Sequence, residues 1–161
     1  QPQHIFELEY ADDPRISPDG SEIVYVRTSM DIMTDHTQTN LWITSYDGGG
    51  HRQLLTGQRN YTSPRWSPDG TRLLYVASDE RGTRQLFVRW MDRGQTTMLT
   101  HLQESPGGIS WSPDGQWLVF ISRGANGGRL WKMPAGGGEK QQLTFGNEPI
   151  DDWYPSWSPT V

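Results

Sequence analysis

The chain has 161 residues, a formal net charge of −5, no Cys, and an apolar fraction of only 33% set against 18 Gly, 11 Pro and 8 Trp. Acids and bases are interspersed: Arg27, Arg52, Arg65 and Arg81 stand among carboxylates, so there is no concentrated positive face for nucleic-acid phosphates. Disulfides and thiolate metal sites are excluded, and no apolar run approaches the roughly 20 residues of a membrane-spanning helix.

Gly and Pro make turns and Trp favours strands, so the composition points to an all-β chain with many tight turns. Heptads are absent, and eight Trp do not fit a chain that never packs. The chain begins at Gln1 rather than Met. That suggests processing or trimming, and it favours a periplasmic or secreted compartment over the cytoplasm.

In chain order, His4 to Tyr10 comes first. Phe6, Leu8 and Tyr10 alternate with Glu7 and Glu9 as in a strand, and a short leading helix is the other reading. A repeat then begins. Ser17-Pro18-Asp19-Gly20 recurs as Ser67-Pro68-Asp69-Gly70 and Ser112-Pro113-Asp114-Gly115, with a partial copy at Ser158-Pro159 that continues as Thr160-Val161. Trp precedes the Ser at Trp66, Trp111 and Trp157, and Ile16 takes that place in the first copy. The spacing of about 45 to 50 residues is that of a propeller blade.

After each turn motif comes an apolar run: Ile23 to Val26, Leu73 to Val76, and Trp117 to Ile121. A strand opening with Leu and an aromatic follows, at Leu41-Trp42, Leu86-Phe87 and Leu130-Trp131. A Gly-containing turn and a closing Leu-Thr strand complete each unit, the latter at Leu55-Thr56, Leu99-Thr100 and Leu143-Thr144. The pattern predicts a partial β-propeller with three complete four-stranded blades and the first strand of a fourth. The segments are a lead-in over 1–13, blades over 14–56, 57–100 and 101–144, and the start of a fourth over 145–161.

The turn chemistry accounts for the motif. Pro presets φ for the second position of a type I turn, Asp suits the third, and Gly supplies the left-handed residue that follows. Ser can bond a backbone N–H within the turn. A single blade cannot cover both faces, so blades must stack. The largest break in the repeat is Thr28 to Asn40, which spans a gap filled by only Ser78 to Gln85 in the second blade and Ser122 to Arg129 in the third. It reads as an enlarged rim loop or an extended hairpin.

No catalytic, cofactor-binding or metal-binding residue is expected, and no cofactor. No Ser has the flanking Gly pair of a nucleophile elbow; Ser110 has Gly108 before it but Ser112 after it. His4, His36, His51 and His101 lie apart, and the Asp35-His36 pair reads as part of a solvated loop. Asp19, Asp69 and Asp114 are accounted for as turn residues rather than calcium ligands. Asp12-Asp13 and Asp151-Asp152 read as exposed surface charge.

The Trp-Ser-Pro-Asp-Gly, Leu-Tyr-Val, Leu-Trp and Leu-Thr unit resembles the propeller repeat shared by TolB-type periplasmic proteins and prolyl oligopeptidase family serine peptidases. The opening, Phe6 to Tyr10 followed by Asp13-Pro14-Arg15-Ile16-Ser17-Pro18-Asp19-Gly20, is similar to the first blade of acylaminoacyl-peptidase and dipeptidyl-peptidase members. The long excursion before Leu41-Trp42 fits that group. The resemblance implies a propeller of seven or eight blades that covers a C-terminal α/β-hydrolase domain absent from this chain. That domain would hold the catalytic triad, so no catalytic residue is carried over. The implied partners are the remaining blades, the hydrolase domain and a peptide substrate. The implied role is to restrict entry to short peptides. Self-association through open blade edges is also expected. The rival reading is a TolB-like protein-interaction propeller. Two departures stand out: the fourth copy ends in Thr160-Val161, and three blades fall short of a familiar ring.

Overall fold

A computed structural model describes residues 9–31, 36–124, 127–146 and 155–158. Among these residues, twelve strands form three antiparallel four-stranded sheets, each with its strands adjacent in sequence order. The first sheet holds β1 (Tyr10–Ile16), β2 (Glu22–Asp31), β3 (His36–Ser45) and β4 (Arg52–Leu55). β5 (Tyr61–Trp66), β6 (Arg72–Ser78), β7 (Arg84–Trp90) and β8 (Thr96–Met98) form the second. The third consists of β9 (Pro106–Trp111), β10 (Trp117–Gly124), β11 (Gly127–Pro134) and β12 (Gln141–Gln142). No helix occurs among the described residues, and the fold class expected from the repeat is the one observed.

Alternation along the second strands decides how the blades stack. On β2, Val24 and Val26 face the second sheet and join Leu73, Tyr75, Ala77 and Phe87 in one core cluster. On β6 the same positions, Leu74 and Val76, likewise face the next blade and pack with Leu118, Phe120 and Met133 of the third sheet, while Leu73 and Tyr75 face back to the first. Side chains alternate with period two, so β6 serves both neighbouring blades, and a slip of one residue would exchange its faces. Tyr75 is buried between blades, and this desolvation raises its pKa from 10.0 to about 12.

Two details differ from the sequence expectation. β1 starts at Tyr10, so the end of the segment expected as a lead-in is already strand. The Leu-Thr dipeptides also do more than pair as strand. In the second and third blades the fourth strand stops at Met98 and Gln142. Leu99 N then donates to the Leu86 carbonyl at 2.8 Å, while the Thr100 hydroxyl accepts from Leu86 N at 3.0 Å. Leu143 and Thr144 repeat this with Leu130, at 2.8 and 2.9 Å. A Thr hydroxyl takes the place of a backbone carbonyl, which ends the strand while leaving the neighbouring N–H satisfied.

The excursion from Thr28 to Asn40 is an extended hairpin. Its ladder runs from Thr28↔Thr39 through Ser29↔Gln38 and Met30↔Thr37 to Asp31↔His36. Residues 32–35, Asp35 among them, lie outside the described residues, as do His4, Asp151-Asp152 and most of the expected fourth-blade start. Pro155, Ser156 and Trp157 border a hollow of about 350 Å³ on the outer face of the third sheet, with Trp117, Val119, Leu130 and Leu143.

Candidate functional site: a cleft along the inner strands

The three Ser-Pro-Asp-Gly turns join first to second strands and share one geometry. In the first, Gly20 N donates to the Ser17 carbonyl at 2.9 Å and Gly20 has φ 76°. Ser17 Oγ donates to Asp19 Oδ1 at 2.6 Å and accepts from Glu22 N at 2.9 Å. Ser67–Asp69 and Ser112–Asp114 repeat the hydroxyl–carboxylate bond at 2.5 Å each. The Ser17 hydroxyl, with help from the Ser21 amide and hydroxyl, lowers the Asp19 pKa from 3.8 to about 2. The hydroxyls of Ser67 and Ser112 likewise lower those of Asp69 and Asp114. All three carboxylates are thus engaged by their own turns.

The turns stack from blade to blade. The Gly70 Cα hydrogen that a Cβ would replace points to Pro18 Cδ, 3.5 Å from an ideal Cβ position, and Gly115 stands to Pro68 Cδ in the same way at 3.6 Å. Beside them, the Trp before the second and third motifs ties its strand to the first strand of the preceding blade. Trp66 Nε1 donates to the Arg15 carbonyl and Trp111 Nε1 to the Arg65 carbonyl, both at 3.0 Å.

Each first strand carries a bulge at the same repeat position. Register shifts fall between Asp12 and Arg15, between Thr62 and Arg65, and opposite Val119 and Ile121. Asp13, Ser63 and Gly108 hold these bulges with φ of 47°, 55° and 53°. Left-handed backbone is unusual for residues other than Gly, and Asp is among those that tolerate it best. Bulges re-aim the side chains that follow them. Here Arg15, Arg65 and Ser110, each two residues past its bulge, border one cleft of about 460 Å³. Pro18, Pro68, Trp66 and Trp111 contribute apolar wall.

Asp13 sits between the two arginines. Arg65 Nη1 donates to Asp13 Oδ2 at 2.7 Å, and Arg15 Nη2 lies 2.5 Å from Asp13 Oδ1. The expectation that Asp13 is plain surface charge is corrected: its side chain is 21% exposed and bridges two blades. Asp12 keeps to its own strand, where its carboxylate accepts from the Asp13 amide at 2.7 Å. Sequence alone does not disclose the Arg15–Asp13–Arg65 cluster, because Arg65 lies 52 positions from Asp13. The available signal was the in-phase recurrence of Pro-Arg at Pro14-Arg15 and Pro64-Arg65.

Away from the cleft, His51 stacks on Trp42 with centroids 4.8 Å apart, and its Nε2 is 2.6 Å from the Tyr25 hydroxyl. Arg27 covers the same Trp42 ring and pairs with Glu9. This cluster lies on the face of the first sheet that points away from the second. Among the described residues, no group of three or more His, Asp or Glu is placed to hold a metal ion.

The family model for the TolB beta propeller domain matches residues 4–161. The chain belongs to the TolB beta propeller domain family. It is 35% identical over 116 residues to the uncharacterized peptidase YuxL of Bacillus subtilis, covering 70% of this chain and 17% of that protein. To the Tol-Pal system protein TolB of Anaeromyxobacter dehalogenans it is 36% identical over 112 residues, or 69% of this chain and 25% of that one. In fold it matches the Pyrococcus horikoshii acylaminoacyl peptidase with a TM-score of 0.70 and 16% identity, over 86% of this chain and 25% of that chain. The chain therefore spans a quarter or less of these relatives. The resemblance to peptidase propellers read from its repeat is borne out.

Proposed function

We propose that this chain is the substrate-gating propeller portion of a serine peptidase acting on short peptides, and that it is not catalytic by itself. The observation that carries this reading is the similarity to a protein named as a peptidase, over 70% of the chain. The cleft along the inner strands fits the role, because first strands line the axis of a propeller and a peptide passing along that axis would meet them. A rigid stack of blades can select by size without touching the scissile bond. It excludes folded chains sterically and admits short extended ones.

The second reading is a TolB-like interaction propeller, which the similarity to the Anaeromyxobacter protein supports. One experiment separates the two. Hydrolysis by the protein at its full natural length is followed from tripeptides to intact unfolded proteins. Gating requires kcat/KM to fall steeply with substrate length. Absence of hydrolysis at every length, with stable capture of a protein partner, would replace it with the interaction reading.

A further inference from the structure

We propose that the cleft along the inner strands is a carboxylate-binding site, in which Arg15 and Arg65 together hold a carboxylate carried by a peptide. The inference rests on the reading of this cleft as a peptide-facing passage, and it names the chemistry that the passage recognises.

Arg15 and Arg65 are the charged residues that border the cleft. One carboxylate, Asp13, serves both guanidiniums, and the Asp13 bonds described above involve one terminal nitrogen of each arginine. Arg65 Nη1 also donates to the Pro64 carbonyl at 2.7 Å, but a guanidinium presents five N–H donors in a planar fork, so these bonds leave donor capacity on both arginines. The shared carboxylate also fixes the two forks relative to each other, which removes part of the ordering cost that a ligand would otherwise meet. Arg65 is only 20% exposed on its side chain, so its charge acts with less screening than a freely solvated one.

The third position of the array differs in kind. Ser110 stands where the first two blades have Arg, so positive charge is confined to one part of the cleft. Trp66, Trp111 and the turn prolines supply apolar wall beside it. Such an arrangement gives a bound peptide a polarity: the carboxylate at the first two blades and the rest of the chain along the Trp–Pro surface. The bulges at Asp13 and Ser63 have a purpose in this account, since without them Arg15 and Arg65 would fall in a different register along their strands.

The test uses the protein at its full natural length and N-acetyl-tri-β-alanine, whose backbone resists α-peptidases. The free acid is compared with its C-terminal amide by calorimetry. A third probe, the amide-capped peptide with Glu as its central residue, distinguishes a side-chain carboxylate from a terminal one. The free acid, the Glu peptide or both should bind about tenfold more tightly than the plain amide. Added salt should shrink the difference. Arg15→Gln and Arg65→Gln should each reduce the preference, and the double variant should abolish it.

Arg15 is 43% exposed on its side chain, so R15Q keeps the test open even if R65Q perturbs the fold. The indole N–H resonances of Trp66 and Trp111, whose acceptors are the Arg15 and Arg65 carbonyls, should shift with the carboxylate probe and not with the amide. Equal affinity for acid and amide, no binding of any probe at millimolar concentration, or an unchanged preference in the folded variants would overturn the proposal. Those outcomes alongside intact length dependence of hydrolysis would leave the gating reading standing. Carboxylate preference without length dependence would remove the gate and keep the site.

Discussion

The indole N–H of Trp111 donates to the main-chain carbonyl of Arg65 at 3.0 Å, so a side chain of the third blade is bonded to the inner strand of the second. Trp111 is 7% exposed and also packs in the core between those blades. Trp111→Phe keeps most of that packing and removes the bond. It should cost about 1 kcal/mol, whereas Trp111→Ala should cost about 3 to 5 kcal/mol. Urea unfolding of both variants checks the ordering.

The turn carboxylates make stability acid-sensitive. Asp19, Asp69 and Asp114 have pKa values lowered by their Ser hydroxyls, and Asp19 falls to about 2 from 3.8. A lowered value means that the folded state binds the proton less tightly than the unfolded chain does. The contribution is therefore present above about pH 4 and is lost as pH falls towards about 2. Ser17→Ala should flatten the pH dependence of stability across that window. Thermal melts between pH 2 and pH 5 measure it.

Gln85 is 1% exposed and fully used: its Oε1 accepts from Leu102 N and Thr100 Oγ1 at 2.7 and 2.9 Å, and its Nε2 donates to the Leu102 carbonyl at 2.9 Å. Gln85→Leu fills the space but strands those partners. A loss of about 2 to 4 kcal/mol is expected, because a buried donor or acceptor left alone costs its full desolvation. Gln85→Glu, which keeps the acceptor, should retain more stability at low pH than at neutral pH.

Leu143 and Trp117 are 38% and 39% exposed on the outer face of the third sheet, and Phe145 is 79% exposed. The chain of 161 residues by itself should therefore associate as concentration rises, and Leu143→Lys should weaken that association. Light scattering across a concentration series is the check. A monodisperse monomer throughout would contradict it.

The sequence disclosed the blades because their signals are local. A Ser-Pro-Asp-Gly turn carries its own backbone preferences, and the short apolar run Leu73 to Val76, bounded by turn residues and recurring in phase, reads as a buried strand without reference to anything distant. The cleft was hidden for the opposite reason. Its bulges depend on left-handed backbone at Asp13 and Ser63, residue types that adopt this conformation only in some contexts. Its charge cluster depends on two blades stacking in register. The Thr of each Leu-Thr pair reads as strand, because nothing in the dipeptide says that its hydroxyl will stand in for a carbonyl. Thr28 to Asn40 stands out as a departure from the repeat, and the paired ladder from Thr28↔Thr39 to Asp31↔His36 makes it a hairpin rather than a loop.

That hairpin offers the most direct test of the gating account. Met30 is exposed on it, and a flexible thioether suits a surface that other groups slide past or dock upon. Replacing Thr28 to Asn40 by its second-blade counterpart, Ser78 to Gln85, shortens the hairpin while leaving the blade core in place. Measured in the protein at its full natural length, kcat/KM for tripeptides should stay near its original value while that for long peptides rises. Unchanged kinetics at every substrate length, with the shortened protein folded, would contradict the account.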